Sequence, residues 1–278
     1  THARVVIIGG GAMGVGILYH LTKEGWKDVV LVEKGELTSG STWHAAGLIP
    51  HFIASLNLAK IHYYGSELYK NLEEETGQAT GWHGCGAVRL AVHQDQVDWF
   101  HYVKGILAQI GAECHLLGPD EIKEVHPLLN TDGVLLGAYT TGDGHTDPSG
   151  VTHAMAIGAK NRGAEIYRNN RVTEINSLPS GEWEVVTGNG KIVCEHVVNA
   201  AGSFCAQVGA MVGLKIPVVN MVHQYLMTET IPEVAALKTE LPVVRDPRAS
   251  CYYRQEQSGL IIGPYEMQAK AWGLDGID

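Results

Sequence analysis

Apolar residues occur along the chain either as short unbroken runs or at every third or fourth position. Two unbroken runs, residues 5–8 and 29–32, enclose a segment rich in Ala, Gly and Leu. Short runs of β-branched residues are typical of buried strands, and the segment between them is typical of a helix. The pattern therefore predicts a strand, a helix and a second strand over residues 4–33.

Helical and strand patterns then alternate up to residue 168. Apolar residues at helical spacing predict a helix containing Leu56, Leu58, Ile61, Tyr64, Leu68 and Leu72. The later predictions are a strand over 86–92, helices over 95–111 and from Gly118, a strand over 134–139, a helix over 149–162 capped by Asp147, and a strand over 164–168.

The second half of the chain is richer in strand patterns. Residues 171–175, 183–186 and 192–193 alternate as in a β-meander, and a separate strand over 197–199 runs into a glycine turn at Gly202. Longer strands are predicted over 218–228, 250–254 and 260–263. The chain is therefore α/β, with an α+β character overall.

The first predicted strand–helix–strand unit carries a glycine motif with a recognisable chemistry. Gly9 allows a tight turn, Gly11 lets the backbone approach a pyrophosphate, and Gly14 lets the helix pack closely on the strand. The free N–H groups at the helix start face the phosphates. Glu33 follows the second strand, where an acceptor for ribose hydroxyls belongs. The unit predicts a dinucleotide site.

The segment after Glu33 indicates which dinucleotide is bound. Small and hydroxyl residues let the backbone wrap closely around a ligand, and His44 lies among them, in the run Ser-Thr-Trp-His-Ala-Ala-Gly over residues 41–47. With this motif the chain resembles flavoproteins of the D-amino-acid-oxidase type, and within them the dimethylglycine and sarcosine dehydrogenase group. Further similar stretches lie at 72–77, 142–148, 198–202, 222–225 and 263–266. The dimethylglycine branch is the more similar one.

This resemblance implies a Rossmann-like FAD-binding βαβ domain interleaved with an antiparallel-sheet substrate domain. The FAD domain would comprise residues 1–84 and 145–214, and the substrate domain 85–144 and 215–278. It also implies that His44 carries FAD covalently through the flavin 8α-methyl carbon. The implied cofactor-binding residues are Gly9, Gly10, Gly11, Met13, Gly14, Glu33, Lys34, Gly40, Ser41, Thr42, Trp43, His44, Ala45, Gly47, Leu48, Val172, Ala201 and Gly202.

The implied reaction is the oxidation of an N-methyl amino acid by hydride transfer from its methyl carbon to flavin N5. The amine lone pair must be free, and a histidine can accept its proton. The resemblance places His223 and a tyrosine, Tyr252 or Tyr253, near the amine. Successive strand residues face opposite sides, so only one tyrosine should face the pocket. We expect it to be Tyr253.

A substrate carboxylate favours the two-pronged guanidinium of arginine. Arg254, Arg245 and Arg89 are the candidates, and the sequence does not rank them. The alternatives for function are oxidation of sarcosine or another secondary or tertiary amine, and a non-catalytic flavin-binding subunit or fragment. An NAD enzyme is less favoured, because the loop after Glu33 matches a flavin loop.

The family continues beyond residue 278 with a segment that closes the FAD domain and with a folate-binding domain. Tetrahydrofolate is therefore expected only if such a domain exists. The electron acceptor would be oxygen or an electron-transfer flavoprotein. The expected location is cytoplasmic in a bacterium and the mitochondrial matrix in a eukaryote. The chain opens on its first strand, so we expect no signal or transit peptide in it.

The composition of the chain argues against several classes of partner and site. The net charge of −10, from 20 basic and 30 acidic residues, argues against nucleic-acid binding. Apolar runs are too short to span a membrane. Five scattered cysteines without Cys-x-x-Cys spacing predict free thiols in a reducing compartment, and no ligand motif predicts a metal site.

Overall fold

The computed structural model describes residues 2–273. The strands in it are β1 (His2–Ile8), β2 (Val29–Val32), β3 (Leu48–Ile49), β4 (Ala87–Ala91), β5 (His115–Leu117), β6 (Leu136–Thr140), β7 (Gly144–His145), β8 (Glu165–Tyr167), β9 (Val172–Ser177), β10 (Trp183–Thr187), β11 (Gly190–Asn199), β12 (Asn220–Met221), β13 (Leu226–Met227), β14 (Val243–Asp246), β15 (Cys251–Glu256), β16 (Gly259–Pro264) and β17 (Ala271–Trp272). The helices are α1 (Ala12–Lys23), α2 (Leu56–Thr76), α3 (Gln94–Gln109), α4 (Pro119–Val125), α5 (Pro148–Asn161), α6 (Cys205–Ala210) and α7 (Pro232–Ala235), with a 3₁₀ turn over Gly202–Phe204.

Strand β1 lies inside a six-stranded sheet with the order β8-β2-β1-β11-β10-β9. It pairs in parallel with β2 on one side and β11 on the other. Its residues alternate between two cores: Val5 and Ile7 pack against α1 and α5, and Val6 and Ile8 pack against the β9–β10 side. The strand–helix–strand unit predicted from the apolar runs is confirmed.

Strand β11 joins the β-meander to this sheet. The prediction of two strands, over 192–193 and 197–199, is wrong, because β11 runs unbroken for ten residues. Its first half pairs antiparallel with β10, and residues 193–199 pair in parallel with β1. The polar residues Glu195 and His196 in its middle hid this continuity.

The predicted helices form with small shifts at their ends. The Asp147 side chain caps α5 by accepting a hydrogen bond from the Ser149 N–H at 3.0 Å. On α2, Leu68 and Leu72 are buried, whereas Leu58, Ile61 and Tyr64 are exposed. The apolar spacing of α2 is therefore correct for a helix, but its first half is buried at Ala59 and not at these three residues.

The second large sheet has seven strands in the order β13-β16-β15-β14-β4-β6-β5. Its strands come from residues 87–140 and 226–264, so the two sheets interleave along the chain. The sheet is antiparallel except where β14 pairs in parallel with β4. Strand β14 was not predicted, because its short apolar run is enclosed by Pro242 and Pro247, which are typical of loops.

The long strand predicted over 218–228 does not form, and that prediction is wrong. Only β12 and β13 are strands there, and residues 222–225 lie between them. The chain changes partners at this point, since β12 pairs with β17 while β13 pairs with β16. His223 therefore lies in an irregular segment and not in the middle of a strand.

All five cysteines lack a disulfide partner within residues 2–273. Across that range, the helices are too short or too polar to cross a membrane.

The contact between the first turn of α1 and the glycine loop predicts opposite effects for two glycines on that helix. A Cβ at Gly14 would lie 1.9 Å from the Gly9 carbonyl oxygen, whereas a Cβ at Gly16 would meet nothing closer than 4.0 Å. Gly14→Ala should lower the free energy of unfolding by about 1–3 kcal/mol. Gly16→Ala, the matched control, should raise it by about 0.5–1 kcal/mol, since alanine favours the helix. Urea denaturation of both variants measures this, and equal effects would contradict the packing described.

Candidate functional site

The glycine loop between β1 and α1 is shaped by backbone contacts that no side chain could fit. Gly9 has φ of +119°, and a Cβ there would lie 2.3 Å from the carbonyl oxygen of Ala200, just after β11. Gly14 fits beneath the same loop. At Gly11, a Cβ would meet only the side-chain oxygen Thr42 Oγ1, at 3.0 Å, and the residue borders a cavity. The backbone at Gly11 is thus available to a ligand.

Glu33, at the end of β2, organises the loop that follows it. Its carboxylate accepts the Gly10 N–H at 2.7 Å and the Gly35 N–H at 2.8 Å. A carboxylate can accept about four hydrogen bonds, so two bonds leave capacity for ligand hydroxyls. Glu33 therefore both fixes the glycine loop and remains able to bind a ribose.

These residues border a cavity of about 540 Å³, which we call the glycine-side cavity. Its walls contain most of the cofactor residues predicted from sequence: Gly9, Gly10, Gly11, Met13, Glu33, Lys34, Gly40, Ser41, Thr42, His44, Val172, Ala201 and Gly202. Phe204 was not predicted; its ring lies 3.3 Å from the Lys34 ammonium. Gly14 lies outside the cavity lining and supports the loop from below.

The loop with His44 closes the far end of this cavity. The Thr42 hydroxyl accepts the Ala12 N–H at 3.0 Å, which ties the loop to the start of α1. At its other end, Gly47 has φ of +75°, and its carbonyl accepts the Thr146 N–H at 2.9 Å. The short strands β3 and β7 then pair. His44 is thereby held between two anchored points.

The imidazole of His44 is oriented by its own loop. Its Nδ1 lies 3.1 Å from the Gly40 carbonyl oxygen, and the ring lies against the Trp43 ring at a centroid distance of 3.8 Å. A carbonyl oxygen can only accept, so Nδ1 must carry the proton. In the neutral ring, Nε2 is then left with the free lone pair.

His44 also borders a second cavity of about 770 Å³, the tyrosine-side cavity. Of the site residues proposed from the sequence, it is lined by Trp43, Ala45, Gly47, Leu48, His223 and Tyr252. Ala12 and His44 line both cavities, so the two form one groove from the glycine loop to the seven-stranded sheet.

Three aromatic rings form one wall of the tyrosine-side cavity. The His223 and Tyr265 rings stack at 5.2 Å, and Tyr252 meets Tyr265 edge-on at 5.7 Å. His223 Nδ1 donates to the Glu266 carboxylate at 3.2 Å, which leaves Nε2 as the acceptor. Burial raises the pKa of Tyr252, so its hydroxyl keeps its proton.

Tyr253 faces the opposite side of β15, so the expectation that it faces the pocket is wrong. It packs on a core that includes Val88, Leu90 and Val244, where burial raises its pKa. Adjacent strand residues do face opposite sides, but alternation alone does not tell which of the two tyrosines faces the cavity. The ring of Tyr252 lies against Gly263 of β16, where a Cβ would be only 2.1 Å from the ring. Gly263, which lies opposite Tyr252 on the neighbouring strand, was a sequence signal for this orientation.

The three arginines proposed for a carboxylate differ in their surroundings, and Arg89 lines neither cavity of the groove. Arg254 is buried, donates to the Ala46 carbonyl at 2.8 Å and pairs with Glu256 at 2.7 Å, so its role is to hold the His44 loop. Arg245 lines the tyrosine-side cavity and donates to the Tyr265 hydroxyl at 2.6 Å. Tyr265 lies in the stretch 263–266 that resembles the family, but it was not predicted as a site residue.

A third cavity, of about 680 Å³, lies on the other side of Trp43 and Ala45. There His83 and His145 stack at 4.7 Å and both bond Glu240, at 2.8 Å and 2.5 Å. Burial opposes ionisation of Glu240, but the two imidazoles outweigh it and hold the pKa of Glu240 below its usual range. These three side chains could ligate a metal ion. No sequence motif joined them.

The groove suits FAD in its shape and donors. The backbone at Gly11 borders the glycine-side cavity and can approach a pyrophosphate, Glu33 has free acceptor capacity, and His44 borders both cavities. The sequence model of the family described as FAD dependent oxidoreductase (DAO) matches residues 4–278.

Known proteins of this family share both sequence and fold with the chain. It is 49% identical over 280 residues to "Dimethylglycine dehydrogenase, mitochondrial" of Rattus norvegicus, covering 99% of this chain and 33% of that protein. It is 37% identical to "Sarcosine dehydrogenase, mitochondrial" of Homo sapiens, covering 97% of this chain and 30% of that protein. The chain thus spans about a third of the length of these curated relatives.

The crystal structure of L-proline dehydrogenase from P. horikoshii superposes with a TM-score of 0.84 at 29% identity, covering 94% of this chain and 69% of that one. The glycine loop, the groove and these similarities agree on one assignment. The chain belongs to the DAO family of FAD-dependent oxidoreductases.

Proposed function

We propose that the protein containing this chain removes a methyl group oxidatively from a small N-methyl amino acid of the dimethylglycine type, with FAD as cofactor. The observation that carries this proposal is the tyrosine-side cavity, where His44 lies on one side and His223, Tyr252 and Arg245 on the other. A cavity whose wall offers a proton acceptor, a tyrosine hydroxyl and a cation suits a zwitterionic amine. The identity of 49% to a dimethylglycine dehydrogenase supports the substrate class.

FAD would be held at its adenosine end by Glu33 and the backbone near Val172, and at its pyrophosphate by the glycine loop. When bound, FAD supplies the two-electron acceptor for the C–H bond of the methyl group. The chain orients the cofactor, and the absence of a side chain at Gly11 lets the pyrophosphate approach the backbone.

His44 is the residue proposed to attach FAD covalently. Its Nδ1 proton is committed to the Gly40 carbonyl, so Nε2 is the nitrogen free to act as a nucleophile. The Trp43 ring against His44 limits rotation of the imidazole. The flavin 8α-methyl carbon would therefore be joined to Nε2.

His223 is the residue proposed to accept the ammonium proton before the methyl carbon is oxidised. Glu266 binds its Nδ1–H, so Nε2 is the acceptor on the neutral ring. Tyr252 is largely buried and keeps its proton because burial raises its pKa. It can then donate a hydrogen bond to the substrate or to His223 and fix the amine.

Further proposals concern the electron acceptor, the part played by folate and the location in the cell. The electron acceptor is oxygen or an electron-transfer flavoprotein, and tetrahydrofolate takes part only where a folate domain accompanies this chain. Both curated relatives named above are mitochondrial proteins, so the mitochondrial matrix is the proposed location if the source is eukaryotic, and the cytoplasm if it is bacterial.

A substrate panel tests the proposed function against its alternatives. Dimethylglycine, sarcosine and simple methylamines are supplied to the FAD-loaded protein with an artificial electron acceptor. Fastest turnover of dimethylglycine supports the proposal, and fastest turnover of sarcosine or another amine favours the alternative oxidase. Absence of turnover with every amine would favour the non-catalytic subunit.

The free Nε2 of His44 predicts a site-specific flavin attachment. His44→Gln should bind FAD without a covalent bond, so that acid precipitation releases all flavin and the protein mass falls by one FAD. His153→Gln is the matched control, because His153 Nδ1 also bonds a carbonyl four residues earlier but lines neither cavity of the groove. Flavin that stays attached in His44→Gln would contradict the assignment.

The opposite orientations of two adjacent tyrosines predict different results for the same substitution. Tyr252→Phe should slow flavin reduction by dimethylglycine roughly 10- to 100-fold, because a hydroxyl at the reacting amine is lost. Tyr253→Phe should change this rate less than about twofold, since its ring faces the core. Anaerobic stopped-flow spectroscopy measures both, and a larger effect for Tyr253→Phe would refute the orientation.

A further inference from the structure

His83, His145 and Glu240 form a group of side chains that line neither cavity of the groove and that the proposed oxidation does not use. They come from the segment after α2, from β7 and from the segment between α7 and β14. His83 Nδ1 lies 2.8 Å from one Glu240 carboxylate oxygen, and His145 Nε2 lies 2.5 Å from the other. Two imidazole nitrogens and a carboxylate therefore meet at one point, with their ligand atoms within 4.8 Å of one another.

The backbone places both imidazoles on the same face of a short strand pair. The His83 N–H donates to the His145 carbonyl at 2.8 Å, and the His145 N–H donates to the His83 carbonyl at 3.0 Å. Residues that exchange both hydrogen bonds lie directly opposite each other, so their side chains point to the same side. A Cβ at Gly144 would lie 2.0 Å from the His83 carbonyl oxygen, so glycine permits this close pairing. The two rings accordingly stack at 4.7 Å with 11° between their planes.

Glu240 is brought to these rings by contacts of its own segment. The N–H of the next residue, Leu241, donates to the Gln255 side chain of β15 at 3.0 Å. The N–H of Val243, the first residue of β14, donates to the Gly86 carbonyl at 3.0 Å. The backbone that follows Glu240 is therefore anchored to the seven-stranded sheet, and three separately fixed segments supply the three side chains.

The donor atoms select a class of metal ion. Two imidazole nitrogens and one carboxylate are the three protein ligands of many open zinc sites, whereas Mg²⁺ and Ca²⁺ favour oxygen ligands. Bonds of about 2.0–2.1 Å to a tetrahedral ion place neighbouring ligand atoms about 3.3 Å apart. The nitrogen–oxygen distances of 2.5 Å and 2.8 Å would therefore open by less than about 1 Å to admit the ion.

An ion can reach these side chains from solvent and keep a water ligand. His83 is exposed and His145 is buried, and all three residues border the third cavity of about 680 Å³. Because a carboxylate only accepts hydrogen bonds, His83 Nδ1 and His145 Nε2 carry the ring protons in the structure. A shift of each proton to the other ring nitrogen frees both lone pairs for the metal, with no net change in charge on the rings.

We propose that His83, His145 and Glu240 bind a divalent transition-metal ion of the zinc class, with a water from the third cavity as the fourth ligand. The site goes beyond the proposed function and does not depend on it, because its ligands lie outside the groove.

The ion would act as a clamp next to the His44 loop. His145 belongs to β7, which pairs with β3, and the following residue, Thr146, donates to the Gly47 carbonyl at 2.9 Å. Glu240 belongs to a segment held on the seven-stranded sheet. A metal bound to both would therefore stabilise the contact between the His44 loop and that sheet.

Zinc binding to matched variants tests the site. The full-length, FAD-loaded protein is stripped of metal with a chelator and titrated with ZnCl₂ in a calorimeter. One tight zinc site of the parent should be at least about 100-fold weaker in His83→Gln and in Glu240→Gln, since even groups behind metal ligands contribute about 10- to 100-fold. His2→Gln is the matched control, because His2 Nε2 also bonds a carboxylate, Glu182, at 2.9 Å. It should bind zinc as the parent does.

Several results of this titration would overturn the proposal. Equal zinc binding by the parent, His83→Gln and Glu240→Gln would place any zinc elsewhere. A parent that binds no zinc, or that binds Mg²⁺ as tightly as zinc, would contradict the donor chemistry.

Thermal unfolding gives a second readout, which tests the clamp. Zinc should raise the unfolding midpoint of the parent and of His2→Gln, because an ion that binds the folded state stabilises it. It should not raise the midpoint of His83→Gln, which removes an exposed side chain and should fold normally. An equal rise in His83→Gln would refute the clamp. Neither readout needs amine turnover, so failure of the proposed oxidation leaves both tests valid.

Discussion

Close contact between three backbone segments is the constraint on which the groove depends. The Gly9 backbone touches the carbonyl of Ala200, and α1 begins so near Gly9 that Gly14 has no room for a Cβ. These contacts place the end of β1, the start of α1 and the end of β11 at one point, although β11 comes almost 200 residues later. Because that point is fixed, the backbone at Gly11 and the carboxylate of Glu33 face the same cavity.

The His44 loop connects this region to the second sheet. It is tied to α1 through Thr42, to β7 through Gly47 and to β15 through Arg254, which donates to Ala46. On the second sheet, strand alternation gives the cavity Tyr252 and Arg245, while Val244 and Tyr253 fill the core behind. The proposed chemistry therefore relies on two sheets that this loop connects.

The sequence was informative where structure is local and less so where it depends on distant pairing. The βαβ unit and the Asp147 cap follow from nearby residues and form as predicted. The strand over 218–228 failed because its two ends pair with different strands, which a local pattern does not reveal. Which side of β15 Tyr252 and Tyr253 face depends on their contacts with Gly263 and Val244 on other strands. The His83–His145–Glu240 cluster likewise joins residues from distant segments. The domain boundaries, the covalent link and the residue roles stay predictions.

A crystal structure of the protein with FAD is the decisive measurement, because both the tyrosine-side cavity and the third cavity adjoin the His44 loop and could receive the flavin ring. We expect FAD to run from the glycine-side cavity past His44, with its ring in the tyrosine-side cavity that Tyr252 and Arg245 border. A flavin ring on the other side of Trp43, in the cavity of His83, His145 and Glu240, would contradict it.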